Sequence, residues 1–119
     1  MHKKYDKQNI FAKIIRGEIP AKKIYEDEVI LAFHDAFPVA KIHILVIPKA
    51  EYIDFPDFIS KATETEIAYF FKKVSEIANS LNLDNGYRIV ANTGKDSGQS
   101  VFHFHTHIIA GTNILNREG

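Results

Sequence analysis

Val101-Phe102-His103-Phe104-His105-Thr106-His107-Ile108-Ile109-Ala110 sets three histidines at alternate positions among Val, Phe and Ile. Those flanking residues favour an extended backbone, and in a strand residues i, i+2 and i+4 share one face. The spacing therefore predicts a strand with His103, His105 and His107 in a row, and with Phe102, Phe104, Thr106 and Ile108 turned toward a core. At a rise of about 3.3 Å per residue, neighbouring His Cα atoms lie roughly 6.6 Å apart and the outer pair roughly 13 Å apart. A single zinc ion suits that row poorly. Its ligand nitrogens must come within about 2.1 Å of one point in a tetrahedral array, and the outer rings would have to reach inward from nearly opposite sides. A phosphate group fits better, since its several oxygens can accept hydrogen bonds from different imidazoles while another ring attacks phosphorus. On the residues alone, a metal site and a merely histidine-rich strand remain the competing readings.

Composition sets permissive bounds around this run. A chain of 119 residues fits one domain spanning residues 1–119, and 45% hydrophobic with 25% charged residues describes an ordinary globule. Lys plus Arg equals Asp plus Glu at 15 each, so no basic field argues for a nucleic-acid polymer. A small anionic ligand stays compatible. Cysteine is absent, which removes disulfides, thiolate nucleophiles and Cys-bearing zinc modules. Met1-His2-Lys3-Lys4-Tyr5-Asp6 leads into charged residues, and no run reaches the length of a membrane span, so the expectation is a cytoplasmic protein without membrane contact.

Working outward from the histidines, Asp6 is placed to cap a helix with Ile10, Phe11, Ile14 and Ile15 on one face, ended by Gly17 and kept from resuming by Pro20. Residues 24–26 and 29–34 read as short strands around the Glu26-Asp27-Glu28 turn. Residues 41–47 read as a third strand, which Pro48 stops. From Thr63 to Leu81 the period changes to 3.6, with Ile67, Phe70, Phe71, Val74, Ile77, Ala78 and Leu81 in one stripe. Thr63 with Glu66 forms a capping box. Tyr87 to Ala91 pairs with the histidine strand as a hairpin, and its connection Asn92 to Ser100 is longer than hairpins need, a candidate ligand cradle. The expected architecture is α+β: a mostly antiparallel sheet of five to six strands carrying one long and one short helix.

The run Gly98-Gln99-Ser100-Val101-Phe102-His103-Phe104-His105-Thr106-His107-Ile108-Ile109 resembles the signature of the histidine-triad (HIT) superfamily. The likeness continues upstream through Ile10-Phe11-Ala12-Lys13-Ile14-Ile15-Arg16-Gly17-Glu18-Ile19-Pro20-Ala21, Leu31-Ala32-Phe33-His34-Asp35 and His43-Ile44-Leu45-Val46-Ile47-Pro48-Lys49. Within the superfamily the chain looks most like the Hint branch, purine nucleoside phosphoramidate hydrolases that form homodimers. The resemblance implies a HIT-like fold and purine nucleotide ligands such as AMP, GMP and their phosphoramidates; the lack of thiols and the poor tetrahedral reach of the row predict no metal, and no cofactor is expected.

Carried over residue by residue, the resemblance makes His105 the nucleophile that attacks the α-phosphorus and becomes a covalent nucleotidyl-histidine. Such an attack requires an unprotonated ring nitrogen. His107 takes the position that contacts phosphate and assists the leaving amine, and His103 the one that supports the middle ring. Ser100 and Asn92 fall where the family places phosphate or leaving-group hydrogen bonds. Asp35 matches the ribose-binding carboxylate. Ile10, Phe11, Ile14 and Phe33 match the walls of the base pocket, with His34 beside them, and His43 matches an additional histidine near the triad. On the residues alone Asn92 and Ser100 serve equally as turn residues, Asp35 as a turn opener, the four apolar residues as core, and His34 and His43 as strand residues. The pattern is departed from at Thr106, where a bulky apolar residue is usual, at Ala36-Phe37 on the pocket rim, and at Ala110-Gly111-Thr112 with the tail Asn113 to Gly119, which lacks the branch's Trp. The alternatives within reach are a dinucleoside polyphosphate hydrolase, a nucleotidylyltransferase, or a nucleotide-binding interaction protein.

Overall fold

A five-stranded sheet in the order β1-β2-β3-β5-β4 organises the chain, with every neighbouring pair antiparallel. The computed structural model describes residues 4–111. The elements are α1 (Ile10–Ile15), β1 (Lys23–Glu26), β2 (Ile30–His34), β3 (Ile42–Pro48), α2 (Phe55–Lys61), α3 (Glu64–Ser80), β4 (Arg88–Val90) and β5 (Thr106–Ala110), with a 3₁₀ turn at Lys95–Ser97. The α+β expectation is met at the lower strand number. The tail departures at residues 112–119 lie outside the described residues.

Period-2 alternation along β2 and β3 supplies two separate cores, because both faces of the central strands are covered. Ile30, Ala32, Ile44 and Val46 join Phe58, Phe70, Val74, Ile77, Ala78, Phe104 and Ile108 beneath α2 and α3. Leu31, Phe33, Leu45 and Ile47 face the other way, toward Phe11 and Ile14 of α1. All seven residues of the predicted α3 stripe belong to the first core. Thr63 caps α3 as expected: its hydroxyl accepts from the Glu66 amide, and the Glu66 carboxylate accepts from the Thr63 amide.

The sequence reading differs from the structure at several points, each with a local cause. The cap of α1 is Asn9 rather than Asp6: the Asn9 side chain accepts from the Ala12 amide, while the Asp6 carboxylate accepts from the Gln8 amide one turn earlier. α2 is an additional helix, capped by Asp54 and carrying Pro56 in its first turn, where a missing N–H costs nothing. Seven residues are too few for a 3.6-residue period to declare itself. Pro48 is the last residue of β3 instead of a stop before the strand's end.

The largest correction concerns the histidine segment. Regular strand begins only at Thr106, and residues 101–103 form a bend. β4 is short, so its last pair is Val90↔His107, and the backbone groups upstream are claimed by other partners. The Phe104 amide donates to the Tyr52 carbonyl, and the Gln99 side-chain amide donates to the Val101 carbonyl. Side-chain alternation nevertheless persists through the irregular stretch. Phe104 stacks on Phe58 at 4.7 Å between ring centroids, in the first core, whereas His103 and His105 lie against Phe11 on the opposite side.

Candidate active site

Strand register brings one row of side chains to the face beneath α1. Phe33 pairs with Leu45, and Leu45 pairs with His107, so these three stand side by side across β2, β3 and β5. Two residues along β3 from Leu45, His43 shares that face. These residues border a cleft of about 890 Å³. One wall comes from α1 and the segment after it: Ile10, Phe11, Ile14, Ile19, Pro20, Ala21 and Lys22. The opposite wall comes from Phe33, His34 and Asp35 at the end of β2, the loop residues Ala36, Phe37, Pro38 and Lys41, and His43 and Leu45 of β3. Ser100, Val101, His105 and His107 complete it.

The hydrogen bonds of the rings assign their tautomers. Nδ1 of His105 donates to the backbone carbonyl of His103 at 2.7 Å, which leaves Nε2 as the lone-pair nitrogen. The edge of Phe11 holds the ring, with centroids 4.9 Å apart at 89°. His103 is fully buried behind the cleft. Its Nε2 donates to the Pro48 carbonyl at 2.7 Å, so its Nδ1 accepts, and the donor is the Tyr5 hydroxyl at 2.6 Å. In the second relay the Val39 amide donates to His43 Nδ1 at 3.1 Å, which puts the His43 proton on Nε2, and Nε2 donates to His107 Nδ1 at 2.8 Å. His107 is thereby left with its proton on Nε2.

Burial favours the uncharged form of His103, His105 and His107. Desolvation pushes His103 down to about 4, and it pushes His105 down as well. His107 also falls to about 4, first through burial and then through repulsion by His105 and His43. A neutral His105 has the free lone pair that nucleophilic attack demands.

Asp35, His43 and His107 offer ligand atoms that all lie within 4.8 Å of one another, a grouping different from the i, i+2, i+4 row weighed on the sequence. A cation bound at His43 Nε2 would require the ring proton on Nδ1, directly facing the Val39 N–H. The donor set therefore fits a proton-ordered relay rather than a cage. Asp35 closes it, with one carboxylate oxygen 3.4 Å from His43 Nε2 and the other accepting the Phe37 amide at 2.8 Å.

Of the residues singled out in the sequence, Ile10, Phe11, Ile14, Phe33, His34, Asp35, His43, Ser100, His105 and His107 meet along the cleft. His103 stands behind it, and Asn92 is half-buried in the connection after β4 and is not one of the lining residues. Only Ser100 of the long connection reaches the cleft, so the expected cradle reduces to its last residue. Sequence reasoning passed over Gln99, which is buried and ties the connection down. Its side-chain amide donates to the carbonyls of Ile53 and Val101, and its oxygen accepts from the Gly94 amide. Tyr5 was also passed over, since nothing in a charged N-terminal run marks one hydroxyl as the partner of a residue 98 positions away.

The HIT domain model matches residues 16–114. An uncharacterized HIT-like protein of Rickettsia prowazekii is 56% identical over 112 residues, covering 93% of each chain. The chain belongs to the HIT family. Among solved members, a HIT family hydrolase from Legionella pneumophila superimposes with a TM-score of 0.83 at 35% identity, over 90% of this chain and 96% of its own. A histidine triad nucleotide-binding protein from Candida albicans does so with a TM-score of 0.79 at 30% identity, over 89% and 76%. The three histidines of the HIT signature in this chain are thus divided by the fold: His105 and His107 border the cleft, and His103 lies behind it.

Proposed function

We propose that this HIT protein is a Hint-like hydrolase of purine nucleoside 5′-phosphoramidates that works through a covalent nucleotidyl-His105. The observation that carries the reading is the His105 ring itself: Nδ1–H is committed to the His103 carbonyl and Nε2 is left unprotonated in a ring that borders the cleft. In the first step Nε2 attacks the α-phosphorus, and the P–N bond to the amine breaks as the departing nitrogen takes the His107 Nε2 proton, which the attacking water of the second step returns to His107. Water then cleaves the new bond to His105 and releases the nucleoside monophosphate. His107 donates from Nε2 to a phosphoryl oxygen or to the departing nitrogen, its orientation held by His43. Asp35 accepts from the ribose hydroxyls, and Ile10, Ile14 and Phe33 face the purine. The Legionella and Candida relatives, a hydrolase and a nucleotide-binding protein, support the same class.

Mass spectrometry of a quenched reaction tests the step directly. A mass increment of one nucleotide on His105 is the expected result, and its absence from a variant slowed in hydrolysis refutes covalent catalysis. Turnover of adenosine and guanosine phosphoramidates should exceed that of dinucleoside polyphosphates. The reverse order would favour the polyphosphate reading, for which Lys22 and Lys41 on the cleft wall are the supporting feature. Full activity in EDTA is expected from the relay tautomers. The homodimer implied by the Hint resemblance is supported by β4, a short edge strand with Tyr87 and Ile89 exposed beside and on it, and light scattering at micromolar concentration tests it. Among the described residues no helix is long and apolar enough to cross a membrane.

A further inference from the structure

Phe37 is 86% exposed, more than any other large hydrophobic side chain among the described residues. Of the large hydrophobics left exposed among the described residues, only Ile10 (46%) and Phe37 line the cleft, one on α1 and one on the loop between β2 and β3. A phenylalanine left in water forgoes the burial that normally holds such a ring, so its position at the mouth of a binding cleft calls for an occupant.

The loop that carries it is fastened on both sides. Asp35 accepts the Phe37 amide, His43 accepts the Val39 amide, and Pro38 between them fixes its own φ. The backbone of the rim is therefore tied to two side chains of the relay, and the ring has only two torsions to settle when something covers it. Its flat apolar face suits a heteroaromatic ring. It does not suit the ribose or the phosphate, whose polar groups would lose water against it without gaining partners.

Resting on the nucleotide reading above, we propose that Phe37 is the outer wall of the base subsite, an aromatic lip that stacks on the purine of the bound nucleotide. Ala36-Phe37 stands at a rim position where Ile-Ser often follows the ribose Asp in the branch the chain resembles. Base recognition is then divided between the fixed apolar wall of α1 and a ring that closes from the β2–β3 loop.

Calorimetric titration of the wild type, Phe37→Ala and Phe37→Tyr with AMP and with ribose 5-phosphate tests the assignment. Base-on-aromatic stacking sets the scale of the loss, and Phe37→Ala should weaken AMP by about 10-fold. Ribose 5-phosphate should bind all three proteins alike, and Phe37→Tyr should retain AMP affinity. An unchanged AMP affinity in Phe37→Ala overturns the lip. Equal weakening of AMP and ribose 5-phosphate also overturns it, because Phe37 would then act by shaping the loop around Asp35. A wild type that binds neither ligand removes the nucleotide reading, and the lip with it.

Discussion

Beneath α2 and α3 the sheet is sealed by rings, with Phe58, Phe70 and Phe104 mutually in contact at centroid distances of 4.7 to 5.4 Å. On the opposite face the same strands present Phe33, Leu45, His43 and His107, and α1 covers only part of that row. The difference follows from helix length. α3 has 17 residues and runs about 25 Å, whereas α1 has 6 and runs about 9 Å, against roughly 23 Å for the 7 residues of β3. A face roofed along its whole length becomes core. A face roofed along less than half of it becomes core in one part and a cleft in another, and His43, His105 and His107 border that cleft.

The sharpest way to break this contrast is His105→Asn. Turnover should fall by at least about 10³-fold, while urea denaturation still shows a cooperative transition. Retained turnover would place the chemistry elsewhere. Phe58→Ala should act on the sealed face alone, lowering stability by about 3–5 kcal/mol, with nucleotide affinity unchanged below the unfolding midpoint. A matching loss of affinity would show that the two faces are not independent.

Acid should separate the faces next. His103 and His107 titrate near 4 in the folded chain, below the 6.5 of a free histidine. A depressed histidine pKa means that the unfolded chain binds more protons between those values, so stability is full above pH 6.5 and falls as pH drops toward 4. For the buried His103 the loss is on the order of 3 kcal/mol. Denaturation curves of His103→Phe across pH 7 to 4 should be flatter than those of the wild type, and parallel curves would refute the account. The smallest effect belongs to the sealed side, where Thr63→Ala should cost about 1 kcal/mol by removing the α3 cap, without change in turnover.

How far the molecule can be read without coordinates varies by element. α3 was legible because 17 residues give the 3.6 period several turns to repeat and its cap is written in Thr63 and Glu66. β2 and β3 were legible from apolar runs bounded by turn residues. α2 was not, and neither was the break in the histidine segment before Thr106. That break comes from the Tyr52 carbonyl and the Gln99 amide competing for backbone groups, and no local pattern announces such competition. In the site, alternation alone predicted that His103, His105 and His107 share a side, and it held even where the strand did not. The roles of Gln99 and Tyr5 stayed hidden because their partners lie 46 and 98 residues away.

By itself the order of residues determined the alternation that sorts rings from imidazoles, the capped helix that seals one face, and the histidine run that marks the chemistry. Local spacing and side-chain type carry that information, since neighbours along the chain are neighbours in space. Tertiary structure alone decided which histidine lies behind the cleft, which nitrogen of His43, His103 and His107 keeps its proton, and how much of the second face stays open. Those outcomes depend on a carbonyl from Pro48, an amide from Val39 and a hydroxyl from Tyr5, groups that only folding brings within hydrogen-bond reach of the rings.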